Sequence, residues 1–316
     1  MGRAALADAK ESIVFPIRST SLMVGAVAVL ASSAAFADIS MQTLAVGDVG
    51  NAADTTGLGA VNYGYSIGKY EVTNTQYVAF LNAKAKSDPN NLYNGAYHAT
   101  YGGITRSGTA GSYTYATISG RENWAVTYVS FWDACRFANW MSNGQGDGDT
   151  ENGSYTLTAT GIANNTVTRN AGATWVIPTE NEWYKAAFYK SGGLNAGYWS
   201  YGTGTNSITT SMANYNSVVS NVLAVGSFVA TSAYGAFDMA GNAWEKTEKT
   251  ITGGKRQNLG GAFNSSSGSI QKLDAGFLTA ATFEENTSGF RMAFVPGPSS
   301  IALLGLGGLA GRRRKA

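Results

Sequence analysis

The segment Tyr234-Gly235-Ala236-Phe237-Asp238-Met239-Ala240-Gly241-Asn242-Ala243-Trp244-Glu245 is the part of the 316-residue chain that says most about its fold. Within twelve residues it combines two glycines, three aromatic side chains and two carboxylates. Glycine permits tight turns that other residues resist, and closely spaced carboxylate and carbonyl oxygens are the ligands that Ca²⁺ prefers. The pattern therefore indicates a rigid loop built around a cation.

This segment resembles the signature "GLYDMHGNVWEW" of the formylglycine-generating enzyme, or sulfatase-modifying factor, family. Six further blocks resemble family motifs and occur in the family's order. They lie at residues 68–80, 126–134, 177–187, 201–202, 260–263 and 289–291. The resemblance implies an α+β fold related to that of C-type lectins, with short strands, few helices and long ordered loops. We expect one such domain over residues 38–297, since no proline-rich or charged linker interrupts the blocks.

The N-terminal 37 residues have the organisation of a secretory signal peptide. Basic residues precede an apolar stretch at residues 22–31, and Ala35-Phe36-Ala37 offers an A-x-A cleavage site. The apolar stretch is shorter than the roughly 20 residues that span a bilayer, which disfavours a membrane anchor. We therefore predict a signal peptide over residues 1–37, cleaved before Asp38.

The C-terminal residues form a second targeting segment. Residues 301–311 are apolar and glycine-rich, and Arg312-Arg313-Arg314-Lys315 follows them. The segment resembles the PEP-CTERM sorting signal of Gram-negative bacteria, although Gly297 stands where that signal has Glu. The resemblance implies that residues 298–316 contact the membrane transiently and are processed by an exosortase-type enzyme. The protein is therefore expected to be exported to the cell surface, the outer membrane or the extracellular space.

The charge of the chain does not indicate a nucleic-acid partner. Seven of the 22 basic and two of the 20 acidic residues lie in the two terminal segments, so residues 38–297 carry a net charge of −3. The sequence pI of about 8.5 thus reflects the targeting segments. Nucleic-acid binding is not expected, because it depends on a basic surface that the middle of the chain lacks.

Three segments predict short helices, because each begins with a potential capping box. Thr73, Ser130 and Thr179 each stand three positions before a side chain that can complete a capping box. Apolar residues recur behind them at helical spacing. The predicted helices are residues 73–86, 130–142 and 180–190. Short strands are predicted at residues 61–67 and 113–115 and around Val167, where large and small residues alternate between glycine-rich turns.

The single cysteine and the single histidine limit the redox chemistry. Cys135 falls on the apolar side of the second predicted helix, so no intrachain disulfide can form and the thiol is expected to serve packing. His98 lies in a Tyr- and Gly-rich segment and is expected to be solvated, with a general-base role left open. A facial iron triad needs two histidines and a carboxylate, which one histidine cannot supply.

The resemblance also implies where a copper site would lie. Formylglycine-generating enzymes are understood to bind copper through two cysteines that follow a "GGS" block, matched here by Gly260-Gly261-Ala262. The first cysteine position holds Ser265 and the second holds Ile270. Because Cu(I) requires soft thiolate ligands, formylglycine generation by that mechanism is not expected.

Calcium is the cofactor that the resemblance implies. In the family, one structural calcium is held by the signature loop. The matching positions are Asp238 and Glu245 through their side chains, and Gly241 and Ala243 through their carbonyl groups. Capping of the turn without metal is the alternative. A second acidic stretch, residues 147–153, lacks the acid that an EF-hand carries at its twelfth position and is expected to be a solvated loop.

Two functions remain open. The first is an exported, non-catalytic, calcium-stabilised module that binds an unidentified protein or glycan; the missing cysteine pair and the abundance of Tyr, Trp and Asn favour it. The second is a metal-dependent oxidoreductase of the family, which generates formylglycine on sulfatases or performs a related oxidation. Its support is fold-level analogy alone. We expect the first function, and the sequence assigns no catalytic residue.

Overall fold

The computed structural model describes residue 1, residues 38–274 and residues 276–297. Apart from residue 1, the predicted signal peptide and the predicted sorting segment lie outside the described residues. The chain divides into two units, Met1–Ala34 and Ala35–Ala316, and every helix and strand named below belongs to the second. Within the described residues, no helix is long and apolar enough to cross a membrane.

Capping boxes begin the three longer helices, as the sequence predicts. The helices are α1 (Asn74–Lys84), α2 (Phe131–Ser142), α3 (Ala159–Ala163) and α4 (Glu180–Phe188). In α2, the backbone N–H of Ser130 donates to Asp133 Oδ2 over 2.8 Å, and the N–H of Asp133 donates to Ser130 Oγ over 3.2 Å. Aspartate therefore completes a reciprocal box, as Gln76 and Glu182 do in α1 and α4.

Several helical details differ from the sequence prediction. The helix predicted over residues 73–86 ends at Lys84, and a π-helical turn at His98–Gly102 is not predicted. The helix predicted over residues 180–190 ends at Phe188, because Tyr189 adopts an extended conformation with φ −67° and ψ 139°. The five-residue helix α3 is not predicted at all. None of its residues is buried, so it lacks the apolar periodicity that identifies the other three.

Short strands form three sheets in the described part of the chain. They are β1 (Thr43–Val46), β2 (Tyr65–Gly68), β3 (Ile104–Ser107), β4 (Thr114–Thr117), β5 (Trp175–Val176), β6 (Trp244–Ile251), β7 (Lys255–Leu259), β8 (Phe277–Ala280), β9 (Ser288–Gly289) and β10 (Ala293–Phe294). The sheets have the orders β1-β2-β10-β5, β3-β4 and β8-β7-β6-β9. Strand β2 covers only the end of the predicted 61–67 strand, β4 overlaps the predicted 113–115 strand, and Val167 lies in no strand.

A parallel pairing joins the signature segment to the C-terminal block. Strand β6 runs parallel to β9, and Glu245 lies opposite Gly289. Glycine is required at 289, because a Cβ atom there would lie 2.4 Å from the carbonyl oxygen of Val126. This close approach brings Arg291, two residues further on, into the same region as Glu245.

Aromatic rings from α1, α2 and the C-terminal block form the centre of the main core. The ring centroids of Phe80 and Phe137 lie 5.5 Å apart, as do those of Phe137 and Phe290. Such edge-to-face contacts are favourable beyond the area they bury. Cys135 in α2 is fully buried in this core, which confirms its expected burial. Burial also raises the pKa of its thiol well above the usual value.

We expect Cys135→Ser to lower the free energy of unfolding by about 1–3 kcal/mol, because the variant places a hydroxyl in apolar surroundings. Cys135→Ala is the matched control, since it removes the sulfur without adding a polar group. Urea unfolding followed by tryptophan fluorescence measures both variants. A serine variant more stable than the alanine variant would contradict the packing role.

Candidate functional site

A buried ion pair lies at the end of the signature segment. Arg291 Nε donates to Glu245 Oε2 and Arg291 Nη2 donates to Glu245 Oε1, both over 2.6 Å. Trp183 Nε1, from α4, adds a 2.7 Å hydrogen bond to Glu245 Oε2. All three side chains are fully buried. A bidentate guanidinium–carboxylate pair is the geometry that best compensates two charges removed from water.

Arg291 also connects the ion pair to the backbone of two other segments. Its Nη1 donates to the carbonyl oxygen of Gly68 at the end of β2, and its Nη2 donates to that of Phe237 in the signature segment, each over 2.8 Å. The guanidinium thereby joins β2, the signature segment and β6. Arg291 belongs to the closing "GFR" block, but the sequence alone assigns it no role.

Glu71 and Asn242 form a second buried contact beside the pair. Asn242 has a left-handed φ of 63°, and its Nδ2 donates to both carboxylate oxygens of Glu71, over 2.9 and 3.2 Å. Burial raises the pKa of Glu71 well above its usual value, and the charges of Asp238 and Glu245 raise it further. We call Glu71, Asp238, Glu245 and Arg291 the acidic centre, because three carboxylates there face one guanidinium.

Asp238 offers the most open carboxylate of the acidic centre. Its backbone has a left-handed φ of 58°. Its Oδ2 accepts a 2.6 Å hydrogen bond from the N–H of Gly226, and its Oδ1 accepts none from the described residues. Burial raises the pKa of Asp238 to about 6, and the N–H of Gly226 and the guanidinium of Arg291 oppose the shift.

Gly241 allows the signature loop to pass close to a neighbouring loop. Its φ is 82°, and a Cβ atom there would lie 2.2 Å from the carbonyl oxygen of Asn214. Its N–H donates to the carbonyl oxygen of Gly260 over 2.8 Å. Ala243 is fully buried against Ala125 and Phe263 in a small apolar cluster. Gly241 and Ala243, both named from the sequence, therefore hold the loop against its neighbours through a close approach and a buried methyl group.

The four predicted calcium ligands differ in what they offer a cation. Both oxygens of Glu245 accept hydrogen bonds, and two of the three donors belong to a guanidinium. As placed, Glu245 therefore does not fit the role of a calcium ligand, whereas Asp238 has a free oxygen. In the described residues, no three His, Cys, Asp or Glu side chains are arranged to hold a metal ion. Calcium binding by Asp238, Gly241, Ala243 and Glu245 stays a prediction.

The positions that match the family's cysteines are closed. Ser265 Oγ accepts a 2.9 Å hydrogen bond from the N–H of Ala262. Ile270 is 1% exposed and packs in an apolar cluster with Tyr201 and Tyr215. Its Cγ2 would lie 2.2 Å from a Cβ atom at Gly261. The neighbouring cavity, lined in part by Trp244, Ser269 and Lys272, measures about 10 Å³, which is room for about one water molecule.

The prediction that His98 is solvated is wrong. The ring is fully buried and stacks on Tyr93, with the ring centroids 5.2 Å apart and an interplanar angle of 13°. Burial lowers its pKa to about 3, so the imidazole is neutral at physiological pH. The Tyr-rich segment around it is polar in composition yet packs ring against ring, which local sequence does not indicate.

The sequence of the domain also matches a known family. Residues 48–295 match the sequence profile described as the sulfatase-modifying factor enzyme 1-like domain. The chain belongs to this family. No curated protein matches it.

Two solved structures resemble this family member in fold. Treponema denticola variable protein 1 superposes with a TM-score of 0.55 at 18% identity, covering 81% of this chain and 95% of its own. The crystal structure of CarF superposes with a TM-score of 0.56 at 24% identity, covering 81% of this chain and 98% of its own. The α+β fold expected from the sequence is thereby confirmed.

We expect Glu245→Gln to lower the free energy of unfolding by about 3–5 kcal/mol, because it leaves the buried guanidinium of Arg291 without a compensating charge. The matched control is Glu180→Gln. Glu180 Oε2 lies 3.0 Å from Lys249 Nζ, and the Lys249 side chain is 44% exposed. Loss of this exposed ion pair should cost about 1 kcal/mol or less. Urea unfolding of both variants compares the two pairs. Equal losses of unfolding free energy in the two variants would show that the buried pair stabilises the fold no more than the exposed pair does.

We expect Asp238 to make the free energy of unfolding depend on pH. Because its pKa rises from 3.8 in the unfolded chain to about 6, protonation of this carboxyl stabilises the fold fully below pH 3.8, and that stabilisation is lost as the pH rises through about 6. Between pH 4 and pH 7 in EDTA, the wild type should lose about 1–3 kcal/mol relative to Asp238→Asn. Parallel free-energy curves for the two proteins would contradict this assignment.

Proposed function

We propose that this chain is a non-catalytic member of the sulfatase-modifying factor family that acts outside the cell as a binding module. The observation that carries the proposal is the replacement of the copper-binding cysteine pair by Ser265 and Ile270. A hydroxyl is a poor ligand for Cu(I), and an aliphatic side chain is no ligand at all. The buried position of Ile270 supports the same conclusion, because the adjoining cavity cannot admit a peptide.

The other groups that could supply redox or nucleophilic chemistry support this proposal as well. The one thiol, Cys135, lies buried in α2, and burial disfavours the thiolate that would react. The one imidazole, His98, is enclosed by aromatic rings. Export is proposed from the signal peptide over residues 1–37 and the sorting segment over residues 298–316, which an exosortase-type enzyme would process.

Calcium is proposed as a stabilising ion of this module through the signature loop. Asp238 Oδ1 and the carbonyl groups of Gly241 and Ala243 would be its protein ligands, and Glu245 would join them only by leaving Arg291. A divalent cation beside Asp238 would also offset the surplus negative charge of the acidic centre. The surplus negative charge supports a cation beside Asp238. The number of protein ligands is limited, because both oxygens of Glu245 already accept hydrogen bonds.

The non-catalytic proposal is tested by copper binding and turnover. The full chain, isolated without chelators, should contain no stoichiometric copper or iron by elemental mass spectrometry and should not convert a cysteine-containing sulfatase peptide to formylglycine. The double variant Ser265→Cys and Ile270→Cys is the control, because it restores the thiolate pair that Cu(I) requires. Stoichiometric copper or iron with turnover in the unaltered chain would favour the oxidoreductase instead.

Calcium binding is tested separately through thermal stability. Calcium added to the EDTA-treated chain at pH 7.5 should raise the Tm by several degrees and should leave Asp238→Asn unchanged, since that variant lacks the charged ligand. Asp149→Asn is the matched control, because Asp149 lies in the exposed acidic stretch and accepts from the N–H of Glu151. A calcium response lost in Asp149→Asn and kept in Asp238→Asn would move the site to that stretch.

A further inference from the structure

An open depression of about 410 Å³ lies away from the acidic centre. Its walls come from the π-helical turn His98–Gly102 with the residue before it, from Tyr128, and from the segment that precedes β9. Its aromatic lining consists of Tyr97, Tyr101, Tyr128 and Phe283, and Glu284 and Glu285 form an acidic rim. We call this feature the tyrosine depression.

The three tyrosine rings pack against one another, and because Tyr128 is only 7% exposed, the open ring surface belongs to Tyr97 and Tyr101. Tyr97 and Tyr128 stack with centroids 5.4 Å apart and an interplanar angle of 13°. Tyr97 and Tyr101 lie 6.5 Å apart at 35°. Tyr97 is 49% exposed and Tyr101 is 48% exposed, so both rings keep a large surface open to a partner. Exposed aromatic rings that are grouped in this way are typical of recognition surfaces.

The backbone beneath the tyrosine depression is strained and locked. Tyr128 has a left-handed φ of 56°, which is rare for an aromatic residue and accumulates at functional sites. Its N–H donates to the carbonyl oxygen of Glu285 over 3.0 Å, which joins the aromatic wall to the acidic rim. Buried His98 lies behind Tyr128, with the ring centroids 5.9 Å apart. The surface is therefore preorganised and does not have to form on binding.

Two carboxyl groups line the depression, and burial raises the pKa of one of them, Glu284, to about 7. Glu284 Oε2 accepts a 2.7 Å hydrogen bond from Asn94, and neither Glu284 nor Glu285 forms an ion pair with a described residue. Among the described residues, no Lys or Arg lines the depression, although Arg121 Nη1 donates to the carbonyl oxygen of Tyr101 over 3.3 Å. Lys246, the cation that influences both carboxylates, is buried and donates to Ser288 Oγ over 3.1 Å. The surface thus combines ring faces with carboxylates, both of which attract an organic cation.

We infer that the tyrosine depression receives a lysine side chain of a protein partner. The ammonium group would lie over the ring faces of Tyr97 and Tyr101 and pair with Glu285, and the aliphatic stem would cover apolar ring surface. A protein partner is favoured over a free amine because the depression is open, whereas small-molecule sites enclose most of their ligand. This inference rests on the proposed binding function, for which it names the surface and the partner chemistry.

The test uses a matched pair of peptides and the full chain. Gly-Gly-Lys-Gly-Gly and its norleucine analogue have nearly the same shape and differ in the ammonium group. In the full chain with ¹³C-labelled tyrosine rings, millimolar lysine peptide should shift the NMR signals of Tyr97 and Tyr101, and the norleucine peptide should not. Choline and a neutral oligosaccharide are titrated in parallel.

Variants locate the site. Tyr97→Ala and Glu285→Gln should each weaken binding of the lysine peptide about three- to tenfold, the loss expected for one cation–π or charge contact. Tyr97→Phe keeps the ring and should bind as the wild type does, which separates loss of the ring face from loss of folding. Tyr97 is 49% exposed, and neither Tyr97 nor Glu285 belongs to the buried core.

Several results would overturn the inference. They are equal binding of the norleucine peptide, unaltered binding by Tyr97→Ala and Glu285→Gln, choline binding without lysine-peptide binding, and oligosaccharide binding in place of peptide binding. Each would leave the non-catalytic proposal standing, because that proposal is decided by copper content and formylglycine formation. Formylglycine formation by the unaltered chain would overturn the non-catalytic proposal. The peptide titration would still decide whether the tyrosine depression binds lysine.

Discussion

The contact on which the rest of this fold depends is the buried ion pair between Glu245 and Arg291. Two charges removed from water are tolerated only when their hydrogen-bonding capacity is met, and here the guanidinium meets it through the carboxylate and two backbone carbonyl groups. The partners come from strand β6 and from the segment after β9, so the pair fixes the parallel register of these two short strands. Loops with little regular structure thereby acquire defined positions.

The same pair determines how the remaining acids behave. Burial, together with repulsion from the neighbouring carboxylates, raises the pKa values of Glu71 and Asp238. Both oxygens of Glu245 are hydrogen-bonded to Arg291. The surplus charge can be relieved by protons or by a divalent cation near Asp238. The signature motif therefore places its two carboxylates in different surroundings: both oxygens of Glu245 accept hydrogen bonds, whereas Asp238 Oδ1 accepts none from the described residues. The sequence pattern does not separate these two situations.

Local signals in the sequence predict local structure well. The capping boxes at Thr73, Ser130 and Thr179 identify three helices because all of their contacts lie within four residues. The ordered family blocks identify the fold, since they encode long-range packing that no periodicity reveals. The role of Arg291, the burial of His98 and the tyrosine depression are missed for one reason. Each depends on partners far apart in the chain, and the side chains involved are polar enough to look exposed.

The packing of Ile270 against Gly261 limits what a single substitution at this place can achieve. A thiol at position 270 alone would leave a void in a tight apolar cluster, and voids of one or two methylenes lower stability by about 1–2 kcal/mol. A thiol at position 265 alone would break the Oγ contact with the N–H of Ala262 and still lack its partner. Neither single substitution is favourable by itself, so the two positions would have to change together before a thiolate pair could form here.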